Sequence, residues 1–281
     1  MISPHAPPIL AMLAAGFWAI VVLPPLADFG LRRIGHIEPN FRGERIPQSF
    51  GIVILLGALP LLLFLAPLAS VLFPSLVSWL TALTGFGLLG LLDDFRGDKR
   101  IKGLRGHFRA AFVERRITTG FIKAIGGAAL ALSLGFYRFP NAPAEALLAA
   151  ALIALSANAI NLFDLRPGRA GAVFLLCAGC LLALGWQQKS ASAACLLCVG
   201  LPTLMVYLRD RRALAMMGDT GSNPLGACLG LALVEQPSIA LRILALTLLI
   251  GLHILAEKMS ITKLIERFAP LRALDRLTGA R

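Results

Sequence analysis

A chain of 281 residues that is 57% hydrophobic and only 15% charged, with a mean hydropathy of +0.78, carries more apolar surface than a soluble domain can hide. The net charge of +12 would point to nucleic acid in a soluble protein, but here the basic residues stand in short loops between apolar runs. That pattern makes the membrane the expected partner and excludes nucleic acid. No basic segment precedes the first apolar run, which is itself long enough to span, so no cleavable signal peptide is expected.

A membrane helix needs about 20 mostly apolar residues. Runs of that kind, some short, lie at roughly 9–27, 49–67, 69–92, 117–135, 145–163, 170–186, 191–208, 223–235 and 238–257, with a weakly polar split at Pro67-Leu68-Ala69. The predicted fold is therefore an all-α polytopic membrane protein with about nine transmembrane helices. Alternate loops divide Lys and Arg 23 to three, counting Arg138, Lys189 and Arg242 on the poorer side and leaving Lys123 inside a helix. Positive loops face the cytoplasm, which predicts an N-terminus outside and a C-terminus inside. Residues 1–257 form a single predicted transmembrane helical catalytic domain. Residues 258–281 form a cytoplasmic tail that alternates Ile261, Leu264, Ile265 and Phe268 with Lys263, Arg267 and Arg272. Such a tail either lies along an anionic membrane surface or continues the last helix into solvent.

Asp93, Asp94, Asp98, Asp164, Asp210 and Asp219 all fall on the predicted cytoplasmic side, whereas the outer connections look short and chemically plain. Two C-x-x-C pairs, Cys177/Cys180 and Cys195/Cys198, sit inside apolar runs without turn glycines, so packing thiols are expected rather than a metal site.

Three junctions carry chemistry. In Gly90-Leu91-Leu92-Asp93-Asp94 an apolar run ends in adjacent carboxylates, and eight Lys/Arg follow before the next run. Asn158 and Asn161 stand one helical turn apart, ahead of Asp164, and such amides in a membrane helix need partners such as a hard cation. Met217-Gly218-Asp219-Thr220-Gly221-Ser222 opens a helix with an acid, hydroxyls and backbone N–H groups, where phosphate or metal is able to approach; a plainly capped helix is the simpler alternative. Lys123, inside a helix, either snorkels to the interface or reaches a phosphate.

In order and topology these motifs resemble the polyprenyl-phosphate N-acetylhexosamine-1-phosphate transferases, the superfamily that includes phospho-N-acetylmuramoyl-pentapeptide transferase. The resemblance spans about two thirds of the chain and implies transfer of a sugar-1-phosphate from a UDP-sugar to a polyprenyl phosphate, undecaprenyl phosphate in bacteria, with release of UMP. It implies an inner-membrane location, Mg²⁺ or Mn²⁺ as cofactor, and a homodimer as the protein assembly to consider. Carried over by position, Asp219 is the metal-binding Asp with Asn161 as a further ligand, and Asp93, Asp94, Lys123 and Asp164 are catalytic. Asn158, Asn161, Arg42, Arg45, Gly218 and Thr220 are substrate-binding, the two arginines by a loose alignment.

Departures are visible too. Where the muramoyl-pentapeptide branch places a second acid, this chain has Pro167, between Arg166 and Arg169, and no His-rich motif precedes the last helix. His253 and Glu257 stand about one turn apart in the final run. The resemblance therefore implies a divergent member. The competing readings are a catalytically weak relative that binds nucleotide or lipid, and a transporter.

Overall fold

A computed structural model of the chain describes residues 6–65, 73–97, 113, 115–185, 191–236 and 238–279. The Pro67-Leu68-Ala69 split, Asp98, Lys99, Arg100, Lys102, Arg105 and Arg109 lie outside the described residues.

The order is α1 (Ala6–Phe17), a π-helical turn (Trp18–Val22), α2 (Leu23–Arg33), β1 (Ile37–Pro39), β2 (Arg45–Pro47), α3 (Ile52–Leu63), α4 (Phe73–Arg96) and α5 (Thr119–Arg138). There follow α6 (Pro143–Phe163), α7 (Arg169–Gly185), α8 (Ala191–Asp210), α9 (Asp219–Val234), α10 (Ile239–Lys258), α11 (Ile261–Arg267) and α12 (Ala269–Thr278). Each of the nine predicted runs coincides with a helix. Six helices among the described residues are long and apolar enough to cross a membrane: Leu10–Arg33, Pro74–Arg96, Thr119–Arg138, Pro143–Phe163, Ser192–Asp210 and Ile239–Lys258. The helices at 52–63, 169–185 and 219–234 are shorter.

One short β hairpin stands beside the helices of the expected all-α fold. β1 and β2 pair antiparallel, with Glu38 opposite Ile46. Asn40 makes the turn, its Oδ1 accepting from Arg42 N at 2.9 Å and Glu44 N at 3.0 Å. Gly43 supplies a φ of +80° that L side chains avoid. The chain after the hairpin bonds to the loop before α9, through Phe50 N to Met216 O and Gly51 N to Met217 O, both 2.9 Å, so two distant loops become one platform.

Helix α9 is the centre of the bundle, and all but two of its residues are buried. It packs most closely on α6 and α4, and small residues make this approach feasible. A Cβ at Gly226 would run into the Ser156 carbonyl, one at Gly230 into the Ile153 backbone, and one at Gly90 of α4 into the Asp219 carbonyl. The last contact sets the acidic end of α4 against the first turn of α9. At the other extreme, α10 buries none of its residues, as expected of a lipid-facing helix.

The thiols are all free, with Cys195, Cys198 and Cys228 buried among apolar neighbours, as packing residues should be. The opposite end of the bundle is not chemically plain. There Glu235 meets Arg138 at 3.7 Å and Ser192 Oγ, while Arg242 meets Glu145 at 3.2 Å. These charges lie far apart in sequence, so the connections looked plain when read one at a time.

Candidate active site

Asp93 is in the last turn of α4, Lys123 in the first turns of α5, Asn161 in the last turn of α6, and Asp219 opens α9. The Gly90 crossing and the α6–α9 glycine contacts bring these four to one point. Lys123 Nζ donates to Asp93 Oδ2 at 2.7 Å and also to Asp219 Oδ2. Thr119, one turn before Lys123, donates to the other Asp93 oxygen at 2.6 Å. Asn161 Nδ2 donates to Asp219 Oδ1 and to Asn223 Oδ1, each at 2.9 Å. The Lys123 ammonium therefore neither snorkels away nor waits free; it is the cation between two carboxylates.

Asp94 has a different employment from its neighbour. It accepts from Asp219 N and Thr220 N at 3.0 Å each, from Thr220 Oγ1 at 2.6 Å and from Ser49 Oγ at 2.9 Å. A carboxylate from α4 thus caps the N-terminus of α9, where a local side chain would ordinarily do so and where the helix dipole favours negative charge. The helix start that the sequence offered to phosphate or metal is therefore filled from within the protein. Thr220 is fully buried and committed to this cap. Gly218, with a φ of +70°, leaves room for the Asp94 carboxylate, which any Cβ there would crowd. Ser49 Oγ gives its proton to Asp94, so His36, 2.8 Å away, donates from Nε2.

Behind this layer stand Asp164 and Asp210. Asp210 Oδ2 accepts from Gly168 N at 2.8 Å, fastening the loop after α6. Burial, together with the carboxylates of Asp210, Asp219 and Asp94, pushes the Asp164 carboxyl well above the usual carboxylate range, although the Gly218 backbone N–H bonds to it.

Two cavities meet at the Lys123–Asp219 contact. A cleft of about 340 Å³ is lined by Asn40, Phe41, Asp94, Asp164, Pro167 and Asp219, among others. On the other side a mostly apolar groove of about 400 Å³ is lined by Leu89, Lys123, Asn158, Asn161, Leu162 and His253, among others. His253 donates from Nδ1 to the Leu249 carbonyl at 2.7 Å rather than pairing with Glu257.

The predicted arginines are not brought to the acids. Arg42 lies 5.0 Å over the Phe41 ring and Arg45 is exposed, so the hairpin contributes Asn40 and Phe41 to the cleft instead. Sequence reasoning missed Thr119, Asn223, Asp210, Ser49 and His36 as site residues. Spacing could have found Thr119, four residues before Lys123, and Asn223, four after Asp219. Nothing local marks Ser49 or His36.

The residues present suit a hard divalent cation. Asp219 and Asp93 give carboxylate oxygens already bridged by a cation, and Asn223 gives an amide oxygen beside them, whereas Asn161, expected as a further ligand, faces Asp219 with its donating amide nitrogen. Asn223 Nδ2 is buried without a protein partner, which suits a further ligand oxygen. Among the described residues no three His, Cys, Asp or Glu side chains converge as a metal cluster.

Apolar helices of membrane length around an acid-rich site, with an acid-lined cleft on one side and a more apolar groove on the other, define a multi-pass membrane protein. The chain belongs to glycosyl transferase family 4, whose pattern matches residues 76–236, more than half its length. It is similar to a phospho-N-acetylmuramoyl-pentapeptide-transferase of Moorella thermoacetica, 30% identical over 84% of this chain and 71% of the relative. It is also similar to proteins of the same name from Desulforudis audaxviator, 28% identical over 82% and 77%, and Bacillus subtilis, 26% identical over 79% and 73%.

Proposed function

We propose that this protein transfers a sugar-1-phosphate, an N-acetylhexosamine-1-phosphate, from a UDP-sugar to undecaprenyl phosphate at the cytoplasmic face of a bacterial inner membrane, releasing UMP. The observation that carries this reading is the Asp93–Lys123–Asp219 bridge between the acid-lined cleft and the apolar groove. A nucleotide sugar suits the first and a polyprenyl phosphate the second, with its headgroup at Lys123 and Asn158. The 23-to-three division of basic residues and the gathering of the acids at one end support nine spans, an outer N-terminus and a cytoplasmic site. In this reading residues 1–257 are the catalytic domain and 258–281 a cytoplasmic tail.

In the net reaction a lipid phosphate oxygen bonds to the β-phosphorus of the UDP-sugar, and the bond from that phosphorus to the UMP oxygen breaks. Both reactants are anionic, so charge neutralisation and alignment contribute most. Lys123 donates hydrogen bonds to phosphate oxygens. Asp93 and Asp219, with Asn223, would hold Mg²⁺, which when bound neutralises phosphate charge, and Asn161 orients Asp219 through its amide nitrogen. Asp94 acts as a positioning residue, because its oxygens are spent on the first turn of α9. Asp164 lines the cleft beneath the nucleotide sugar. With Pro167 at the position of the second acid, recognition of the sugar falls to other cleft residues, among them Asn40 and Phe41 from the hairpin.

The test is Mg²⁺-dependent UMP release by purified protein given polyprenyl phosphate and a panel of UDP-sugars. Turnover with one sugar supports the reading; no turnover and no UMP exchange with any of them overturns it.

A further inference from the structure

The tail beyond the last long apolar helix has two faces with different work. Arg169, at the start of α7, is almost wholly buried, and its guanidinium grips Asp275 of α12 through Nε at 2.8 Å and Nη2 at 3.0 Å. Its Nη1 also reaches Thr262 of α11 at 3.0 Å, and Arg211 Nη2 reaches the Leu277 carbonyl at 3.3 Å. Gly168, in the loop that lines the cleft, packs so closely on the Thr278 carbonyl that no side chain would fit. The inner edge of α12 is thus tied to the 164–169 loop.

Its other edge is bare. Leu271, Leu274 and Leu277 are 43%, 49% and 73% exposed and stand three residues apart, along one side of the helix. Arg272 and Arg276 stand on the face opposite that stripe, and Lys258, Lys263 and Arg267 precede the helix, all five exposed. Against these stand Glu266 and Asp275, and the latter is engaged by Arg169. The chain enters this segment directly from α10, the lipid-facing helix that ends at Lys258. An apolar stripe backed by a cationic face, one short helix beyond a membrane helix, has the build of a helix lying in the headgroup layer. Lys and Arg near an anionic surface add attraction to it.

We infer that α12 docks its leucine face on anionic lipid headgroups, and that Arg169 transmits this docking to the cleft by holding the 164–169 loop against the seated helix. The lipid contact stands by itself; its effect on turnover rests on the transferase reading.

The test uses the full chain in nanodiscs of phosphatidylcholine or phosphatidylglycerol, one copy per disc. Amide exchange over residues 269–278, which needs no turnover, is expected to be at least about ten-fold slower in phosphatidylglycerol, because amides of a seated helix are closed. The variant L271E/L274E/L277E should lose that difference. Equal exchange in both lipids, or protection that appears only with two copies per disc, overturns the proposal, the second outcome giving the face to another copy of the chain. UMP release should be several-fold faster in phosphatidylglycerol. Arg169→Ala, or Asp275→Asn where the first fails to fold, should keep the lipid-dependent exchange and lose the lipid-dependent rate. A rate that still follows the lipid in a folded Asp275→Asn protein overturns the coupling.

Discussion

The two ends of the bundle both hold charge, and they handle it in opposite ways. At one end Arg138 answers Glu235, and Arg242 answers Glu145. At the other, Asp93, Asp94, Asp164, Asp210 and Asp219 crowd together, and the described ion pairs among them come from Lys123 alone. A balanced pair at a helix end is complete and serves the fold. A cluster of buried carboxylates is costly in a low-dielectric bundle unless a cation meets it, so this unbalanced cluster marks the end suited to a ligand.

Breaking the unbalanced end should give the largest effect. Asp219→Asn removes the charge that Lys123 meets, and UMP release should fall by about 10³-fold, the scale on which charge-stabilising groups act, with the circular dichroism unchanged. Lys123→Met should cost about 10²-fold in kcat/KM. It also sharpens the comparison, because Asp93 and Asp219 then face each other unneutralised. Added Mg²⁺ should raise the melting temperature of this variant more than that of the parent, and an equal rise in both would remove the two acids from the cation site.

Gly90→Ala touches no ligand. Its methyl would press on the Asp219 carbonyl and force α4 away from α9, costing about 1–3 kcal/mol by overpacking and at least ten-fold in turnover. At the balanced end, Arg138→Ala should lower stability by about 1–2 kcal/mol, since Glu235 loses its partner, while kcat/KM of the folded enzyme stays within two-fold.

The smallest effect concerns Asp164. Burial and neighbouring acids raise its pKa in the fold, so the folded state favours the protonated carboxyl. The stability this group contributes is complete below its ordinary range and is lost as pH rises through its elevated folded value. In EDTA, Asp164→Asn should therefore melt about 2 °C higher than the parent at neutral pH. The gap should close as the pH is lowered, and a gap that widens in acid would contradict the raised pKa.

Much of the architecture was legible because lipid imposes a simple code. Each apolar run became a helix, and the acids of three separate loops met at one end. What the sequence did not disclose depends on contacts between distant segments. Asp93 and Asp94 are adjacent and look equivalent, yet the side chains of successive helical residues point about 100° apart. One carboxylate meets Lys123 and the other caps α9. Arg169 read as orientation charge because Asp275, its partner, lies 106 positions away. The hairpin was hidden in a loop of Arg, Pro and Gly. Its strands are three residues each, too short for an alternating pattern to show.

The cap on α9 also sets an order of assembly. Asp94 leaves the ribosome 125 residues before the amide of Asp219 that it will bind. At about 5–20 residues per second, that is an interval of roughly 6–25 s. Through that time α4 waits in the membrane with Asp94 lacking the α9 amides it caps, and of the long helices only α10 follows α9, the helix that completes the bundle's centre. The nascent protein cannot meet its substrates early: the site closes only when nearly the whole chain has been inserted.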